Sequence, residues 1–305
     1  MGEEKVTALL EGVEPYFVTD DGSIAVYLAD STELVPKLPP RSVHFIFTDP
    51  PYGINYHDGD LATVKVVFEK TGDRCRDPRP IANDDPEDGL RLADFTFREA
   101  KRILVRGGAV ATCAPGGGDR CDFVLGEWHR ICVQYLDAIN VVVWDKGPIG
   151  LGWHYRRSWE GIIVAKRRGE PLTWYDETDT IENIIRPGQY GISRITPSPD
   201  EHLTEKPWQL AAHFLRLHTK PGDVVLDPFC GSGSTLLAAF YGRRRAIGIE
   251  IDPRWAKRTA DRLALAQNQP RVPFEERPRP STQAPLFSAQ PGPTPPPIKR
   301  GGHAT

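Results

Sequence analysis

Two periods of apolar residues take turns along this chain. Short β-rich runs bounded by turn residues fall at 24–28, 43–47, 109–113, 138–144, 161–165, 223–226 and 245–249. Helical spacing fits 31–38, 90–105, 119–133, 206–218, 234–241 and 253–267, with Ser234 and Asp252 as N-cap candidates. Strands alternating with helices predict an α/β domain: a seven-stranded, mainly parallel sheet with helices on both faces. Such sheets bind ligands outside the carboxyl ends of their strands, where the strand order reverses.

Two segments interrupt the rhythm. Residues 55–89 are rich in Asp, Gly and charge, and 166–205 are irregular with scattered aromatics. Loops this long in a compact domain are functional or mobile. Residues 1–15 read as an N-terminal arm and 16–267 as the folded domain. Ten of the 29 prolines lie after Asn268, so 268–305 reads as a disordered Pro-rich tail that cannot bury enough apolar surface to fold.

Composition narrows the classes. The 305 residues are 39% hydrophobic and 26% charged, as in soluble domains. No apolar run approaches the ~18 residues of a membrane helix. The acidic start MGEEK lacks a signal-peptide pattern, which predicts a cytoplasmic protein. The five cysteines form no CxxC pair, so reduced thiols are expected and neither a disulfide frame nor a metal site. With a net charge of -3, any nucleic acid must be met by a local basic patch.

The run from Val43 ends in Asp49-Pro50-Pro51-Tyr52. Neither proline can continue a sheet ladder, so a strand must stop there in a stiff turn. That turn offers a carboxylate, a carbonyl and an aromatic face. Asp49 and the Pro50 carbonyl suit the two hydrogens of a nucleobase exocyclic amine, and Tyr52 suits stacking on its ring. Such an amine is a poor nucleophile, because its lone pair is delocalised into the ring. Two acceptors localise that pair and favour the positive charge that develops on nitrogen. An ordinary Asp-Pro-Pro turn is the competing reading.

A second constellation runs from Val224 through Asp227-Pro-Phe229-Cys-Gly231-Ser232-Gly233 into a helix pattern. The loop lacks the lysine of a P-loop. Leu236 stands where a dinucleotide fold wants a third glycine or alanine. A nucleoside-type cofactor without pyrophosphate remains, with Glu250, about 20 residues on, placed to hold ribose hydroxyls. Glu201-His-Leu-Thr204-Glu-Lys206-Pro207 forms a third piece, in which Pro207 suits the first turn of a helix. Lys206 could meet a carboxylate.

These pieces, in this order, resemble the amino-group DNA methyltransferases that use S-adenosylmethionine. Asp-Pro-Pro-Tyr resembles their catalytic motif, the glycine loop their cofactor motif, and the segment before Pro207 the motif preceding it in a permuted, beta-class order. The resemblance spans roughly residues 24–265 and implies a Rossmann-like, circularly permuted fold. It implies that Asp49, Pro50, Pro51 and Tyr52 hold a flipped base. It places Phe229, Gly231, Ser232 and Gly233 on the cofactor, with Asp227 supporting the loop and Glu250 on the ribose. Asp30 matches an acid near the cofactor adenine, and Thr204 and Lys206 lie where the methionine end is held. Asp30 and Thr204 also read as helix caps.

The resemblance implies double-stranded DNA as partner, with residues 55–89 as a flap and 147–205 carrying target recognition. Between Val141 and Arg168, Lys146, Arg156, Arg157, Lys166, Arg167 and Arg168 stand against only Asp145 and Glu160, enough to meet phosphates. A solvated basic face is the plain alternative. Arg243, Arg244 and Arg245 form a second cluster. The recognition segment is short, which leaves room for a short target, a homodimer or base reading by the flap. A paired restriction enzyme is a further expected partner. The acid at Asp49 points to adenine N6, with cytosine N4, or an RNA or protein amide, as alternatives.

Overall fold

The computed structural model describes residues 5–53, 84–114, 124–147, 158–177, 181–186, 188–189 and 205–269. Most of the expected flap, about half of the 147–205 region and the tail from 270 lie outside the described residues.

Nine strands of the described residues form one sheet: β1 (Phe17–Val18), β2 (Ile24–Leu28), β3 (Val43–Thr48), β4 (Leu104–Ala114), β5 (Leu136–Asp145), β6 (Trp159–Arg167), β7 (Ile184–Ile185), β8 (Val224–Asp227) and β9 (Arg245–Glu250). Their spatial order is β1-β2-β9-β8-β3-β4-β6-β5-β7. All seven expected strands are present. The two additional ones are two-residue edge pairings, too short to show an alternation. From β2 through β4 the sheet is parallel, and β6 then enters antiparallel between β4 and β5.

Among the described residues six helices cover the sheet: α1 (Ser31–Leu34), α2 (Pro86–Ile103), α3 (Val124–Tyr135), α4 (Trp208–His218), α5 (Ser234–Tyr241) and α6 (Pro253–Gln267). The period of two along each strand divides the core. Ile46, Val110, Ile163 and Leu226 face α2 and α3, where Phe97, Ile103 and Trp128 are buried. Phe45, Phe47, Val164 and Val225 face α4, α5 and α6, where Phe214, Leu215, Phe240 and Leu263 are buried.

Several boundaries differ from the sequence expectation. The helix expected over 31–38 breaks into α1 and a 3-10 turn, Val35–Lys37, because Pro36 has no N–H for the helical ladder. Helix α2 begins at Pro86, inside the segment expected as a flap. There the Asp85 side chain accepts from the Asp88 amide and Pro86 occupies the first turn. Gly233, not Ser234, is the N-cap of α5, whereas Asp252 caps α6 as expected. Pro207 is the N-cap of α4, one residue before its expected place in the first turn.

The N-terminal arm is docked. Val6–Leu10 form a 3-10 turn, the Val6 amide donates to the Gly22 carbonyl at 3.1 Å, and Val6 and Leu10 sit in the core. Leu10→Ala is therefore expected to lower the unfolding free energy by ~2–4 kcal/mol through lost burial and a residual cavity. Urea denaturation measures it, and a change below ~0.5 kcal/mol would mean the arm contributes no core.

Candidate active site

The parallel register lines up the residues that follow each strand. Along one edge, in the order β2, β9, β8, β3, stand Asp30, Glu250, Asp227 and Asp49. From β8 the chain moves one way, through α5 to β9; from β3 it moves the other way, to β4. The reversal between β8 and β3 is the place where open α/β sheets hold ligands. A hydrogen bond stitches this junction, from Thr48 Oγ1 to Asp227 Oδ1 at 2.9 Å.

On the β3 side the chain turns through Asp49-Pro50-Pro51-Tyr52. The Tyr52 hydroxyl donates to Asp49 Oδ1, and its ring meets the buried Trp128 of α3 edge-on at 5.8 Å. The Gly53 amide donates to Asp84 Oδ1 at 2.8 Å, tying the turn to the chain entering α2. Lys206 Nζ lies 2.6 Å from Asp49 Oδ2, 3.1 Å from Glu160 Oε2 and 3.5 Å from the Tyr52 hydroxyl. Its side chain is only 8% exposed. An ammonium has three protons to donate, and three acceptors surround this one. Lys206 therefore meets a carboxylate, that of Asp49. Burial opposes its charge, but the two carboxylates outweigh burial and hold its pKa above the ordinary lysine value. Burial would likewise raise the Glu160 pKa, yet Lys206 and Lys146 bring it down to about 2. Burial, then the Asp49 charge, pushes the Tyr52 phenol well above its usual value, so it stays a donor.

On the β8 side the glycine loop connects Asp227 to α5. Gly231 and Gly233 take φ of +48° and +83°, a region other residues enter only with strain. A Cβ on Gly233 would lie 2.6 Å from Thr259 of α6, whereas space over Gly231 is open. Helix α6 braces the loop: Thr259 Oγ1 donates to the Gly231 carbonyl at 2.7 Å, and Arg262 to the Ser232 carbonyl at 2.6 Å. Arg262 also pairs with Glu205 at 2.7 Å, beside Lys206 in sequence. Glu250 accepts from the amides of Gly231 (2.9 Å) and Asp252 (2.8 Å), and burial raises its pKa. Asp227 accepts from Thr48 and from the Phe229 amide at 3.2 Å. Burial outweighs these donors and raises its pKa to about 7. Asp30 caps α1, accepting from the Thr32 amide and hydroxyl at 2.7 Å each.

Among the described residues, the cations of the expected basic patch are divided between the two ends of the sheet. Because β6 runs antiparallel to β4, its first residues reach the edge that carries Asp49 and its last reach the opposite one. Lys166 is six residues beyond Glu160, about 20 Å away at strand rise. There Lys166 binds Asp137 at 3.1 Å, Arg167 donates to the carbonyls of Lys101 and Leu104, and Arg168 to those of Val133, Gln134 and Leu136. Lys146 does lie near the corner, but it pairs with Glu160 at 2.9 Å. Arg244 is buried against Thr219 and Gly242, and Arg245 donates to Gly222. Arg156, Arg157 and Thr204 lie outside the described residues.

Sequence reading missed Glu160, Thr48, Glu205, Thr259 and Arg262. Glu160 entered only as an offset to positive charge. No local pattern shows which acid an antiparallel strand will carry to the corner. Thr259 and Arg262 left a faint signal, since their i, i+3 spacing puts both on one helix face.

A family model for DNA methylases of the N6/N4 type matches residues 43–261. The type II methyltransferase M2.MboI of Moraxella bovis is 23% identical over 250 residues, 78% of this chain and 86% of that protein. YubD of Escherichia coli (strain K12), which carries a methylase name, is 27% identical over 241 residues, 78% and 89% of the two chains. Among solved structures, the cytosine-N4-specific PvuII DNA methyltransferase aligns with a TM-score of 0.61 at 16% identity, over 84% of this chain and 95% of that one. TTHA0409 of Thermus thermophilus, solved in complex with S-adenosyl-L-methionine, aligns with a TM-score of 0.55 at 23% identity, over 79% and 94%. At these identities the likeness is one of fold.

Asp227 makes a testable contribution to pH dependence. Its carboxyl ionises near the ordinary value of 3.8 when unfolded, and at about 7 when folded. Between these values the folded state binds more protons, so this group costs stability as pH rises through that window. Asp227→Asn keeps an acceptor for Thr48 and removes the buried charge. The variant should gain stability relative to the parent as pH rises from 4 to 7 in denaturant titrations; a pH-independent difference would refute the raised value. In the neighbouring loop, Gly231→Val forces a β-branched residue into positive φ and fills the open space. It should weaken S-adenosylhomocysteine binding at least tenfold in calorimetry, a loss of about 1.4 kcal/mol; unchanged affinity would remove this loop from the cofactor.

Proposed function

The chain belongs to the N6/N4 DNA methylase family, and from that premise we propose that it moves a methyl group from S-adenosylmethionine to the N6 amine of a flipped adenine in double-stranded DNA. The observation that carries the reading is one of position. Asp49 follows β3 and the glycine loop follows β8; these strands are adjacent, and Thr48 bonds Asp227 across them. An acceptor for a base amine and a cradle for a nucleoside thus lie one strand spacing apart, about 5 Å.

The donor set suits the cofactor. Glu250, half-exposed Phe229 and the open backbone at Gly231 would hold its nucleoside part, with Asp30 at the next strand end. Asp227 and Ser232 would support the loop from within. When bound, S-adenosylmethionine supplies a methyl group on a positively charged sulfur, and transfer leaves S-adenosylhomocysteine and one proton. The chain's own residues address the amine. Asp49 Oδ1 and Oδ2 each accept one bond in this structure and each keeps a second lone pair. With the Pro50 carbonyl they can draw the amine hydrogens away from the base plane and favour positive charge on nitrogen. Tyr52 is fixed by Asp49 and Trp128, so its ring is pre-set as a wall of the base pocket. A paired base hides its amine, so the base must leave the duplex first.

Asp49 favours adenine, since the cytosine enzymes of the resembled family more often carry serine there. Labelled cofactor and unmethylated genomic DNA, followed by nucleoside analysis, should yield N6-methyl-2′-deoxyadenosine; N4-methyl-2′-deoxycytidine alone would overturn the choice of base. Asp49→Ala should keep S-adenosylhomocysteine binding and lose at least about 100-fold in turnover, the scale for removing a key electrostatic group. Normal turnover by that variant would remove Asp49 from the reaction.

A further inference from the structure

We propose that Glu160 is a positioning residue for methyl transfer, holding the Lys206 ammonium so that Asp49 keeps its negative charge toward the base amine. The proposal rests on the methyl-transfer reading above and adds a residue outside the three motifs that carry it.

The argument is geometric. Glu160 stands at the start of β6, paired in register with Trp144 of β5, and its side chain is 17% exposed. Oε2 lies 3.1 Å from Lys206 Nζ, and Oε1 lies 2.9 Å from Lys146 Nζ. Lys146 sits just past the end of β5, and its amide donates to the Ser158 carbonyl at 2.8 Å. Glu160 thus faces a lysine at each oxygen: Lys146, just past β5, donates a hydrogen bond to Oε1, and Lys206, on the lead into α4, makes an ion pair with Oε2.

Charge explains why a second acid is needed. Lys206 alone against Asp49 would be a one-to-one ion pair with no net charge. It would pull electron density from the carboxylate that must favour a cationic amine. With Glu160 the ammonium is shared between two carboxylates, so Asp49 is no longer its sole counter-ion. Lys146 balances Glu160 from its other oxygen, and the four groups together are neutral. Charges at a few ångströms act strongly in a site screened from water. Tyr52 and Cys113 border the same cluster, and both remain protonated because burial and the neighbouring carboxylates raise their pKa values.

The test compares wild type, Glu160→Gln and Glu160→Asp for kcat and KM on unmethylated DNA, S-adenosylhomocysteine affinity by calorimetry, and thermal unfolding. Glu160→Gln keeps the shape and an acceptor but loses the charge. It should bind S-adenosylhomocysteine within twofold of wild type and lose at least about tenfold in kcat with little change in KM, the pattern of an interaction acting in the transition state. Glu160→Asp should restore a substantial part of kcat. A Gln variant with wild-type kcat overturns the proposal, as does a loss of cofactor affinity and melting temperature with kcat unchanged. If the Gln variant does not fold, the Asp variant decides, because its shortened side chain should still lower kcat severalfold; unchanged kcat overturns the role. A wild-type protein that transfers no methyl to DNA refutes the underlying reading, an outcome distinct from any ranking of the variants.

Discussion

One buried ammonium organises this molecule. Lys206 lies between Asp49 and Glu160, and the three residues come from parts of the chain more than a hundred and fifty positions apart at their extremes. Taking such a charge out of water is costly, and removal of one partner from a buried pair typically costs ~3–5 kcal/mol. The contact therefore exists only when β3, β6 and the lead into α4 have converged. The same convergence that completes the fold completes the candidate site, so stability and chemistry share one set of contacts there.

The second constraint is the direction of β6. The parallel strands bring Asp30, Glu250, Asp227 and Asp49 to one edge, because each follows the carboxyl end of its strand. An additional parallel strand would have brought its last residues to that edge. Antiparallel β6 brings its first residues instead, which delivers Glu160 to the corner and sends Lys166 and Arg167 to the far end. Charge that is contiguous in sequence is thereby divided between two ends of the sheet. The far cations are used to satisfy carbonyls at the close of α2 and α3, a structural task.

What the sequence made legible follows from this. Strand positions were readable because buried runs have a period of two, and the bounds of α5 and α6 because Gly233, Asp252 and Pro253 punctuate them. The proline corner and the glycine loop were readable because each has a backbone reason to be where it is. Strand direction has no such local signature. Without it, a charge count between Val141 and Arg168 merges residues that the antiparallel hairpin separates. The partner of Lys206 was open for the same reason. The docked arm was missed because β1 is two residues long and Val6 and Leu10 are buried through one short turn.

The carboxylates of the edge also divide their tasks by environment. Asp227 is buried behind Thr48 and the Phe229 amide, and its pKa near 7 leaves it partly protonated at neutral pH. Glu160, with a lysine on each side, stays ionised down to about pH 2. Acids pushed apart in this way can serve different ends within one site. Asp227 acts as a hydrogen-bonded strut between the two halves of the sheet, and the ionised acids gather one strand further on, around Lys206. There Lys146 balances Glu160, and Glu160 in turn takes a share of the Lys206 ammonium. Without Glu160 that ammonium would be held by Asp49 alone, and less of the Asp49 charge would be left to favour a cation at a base amine.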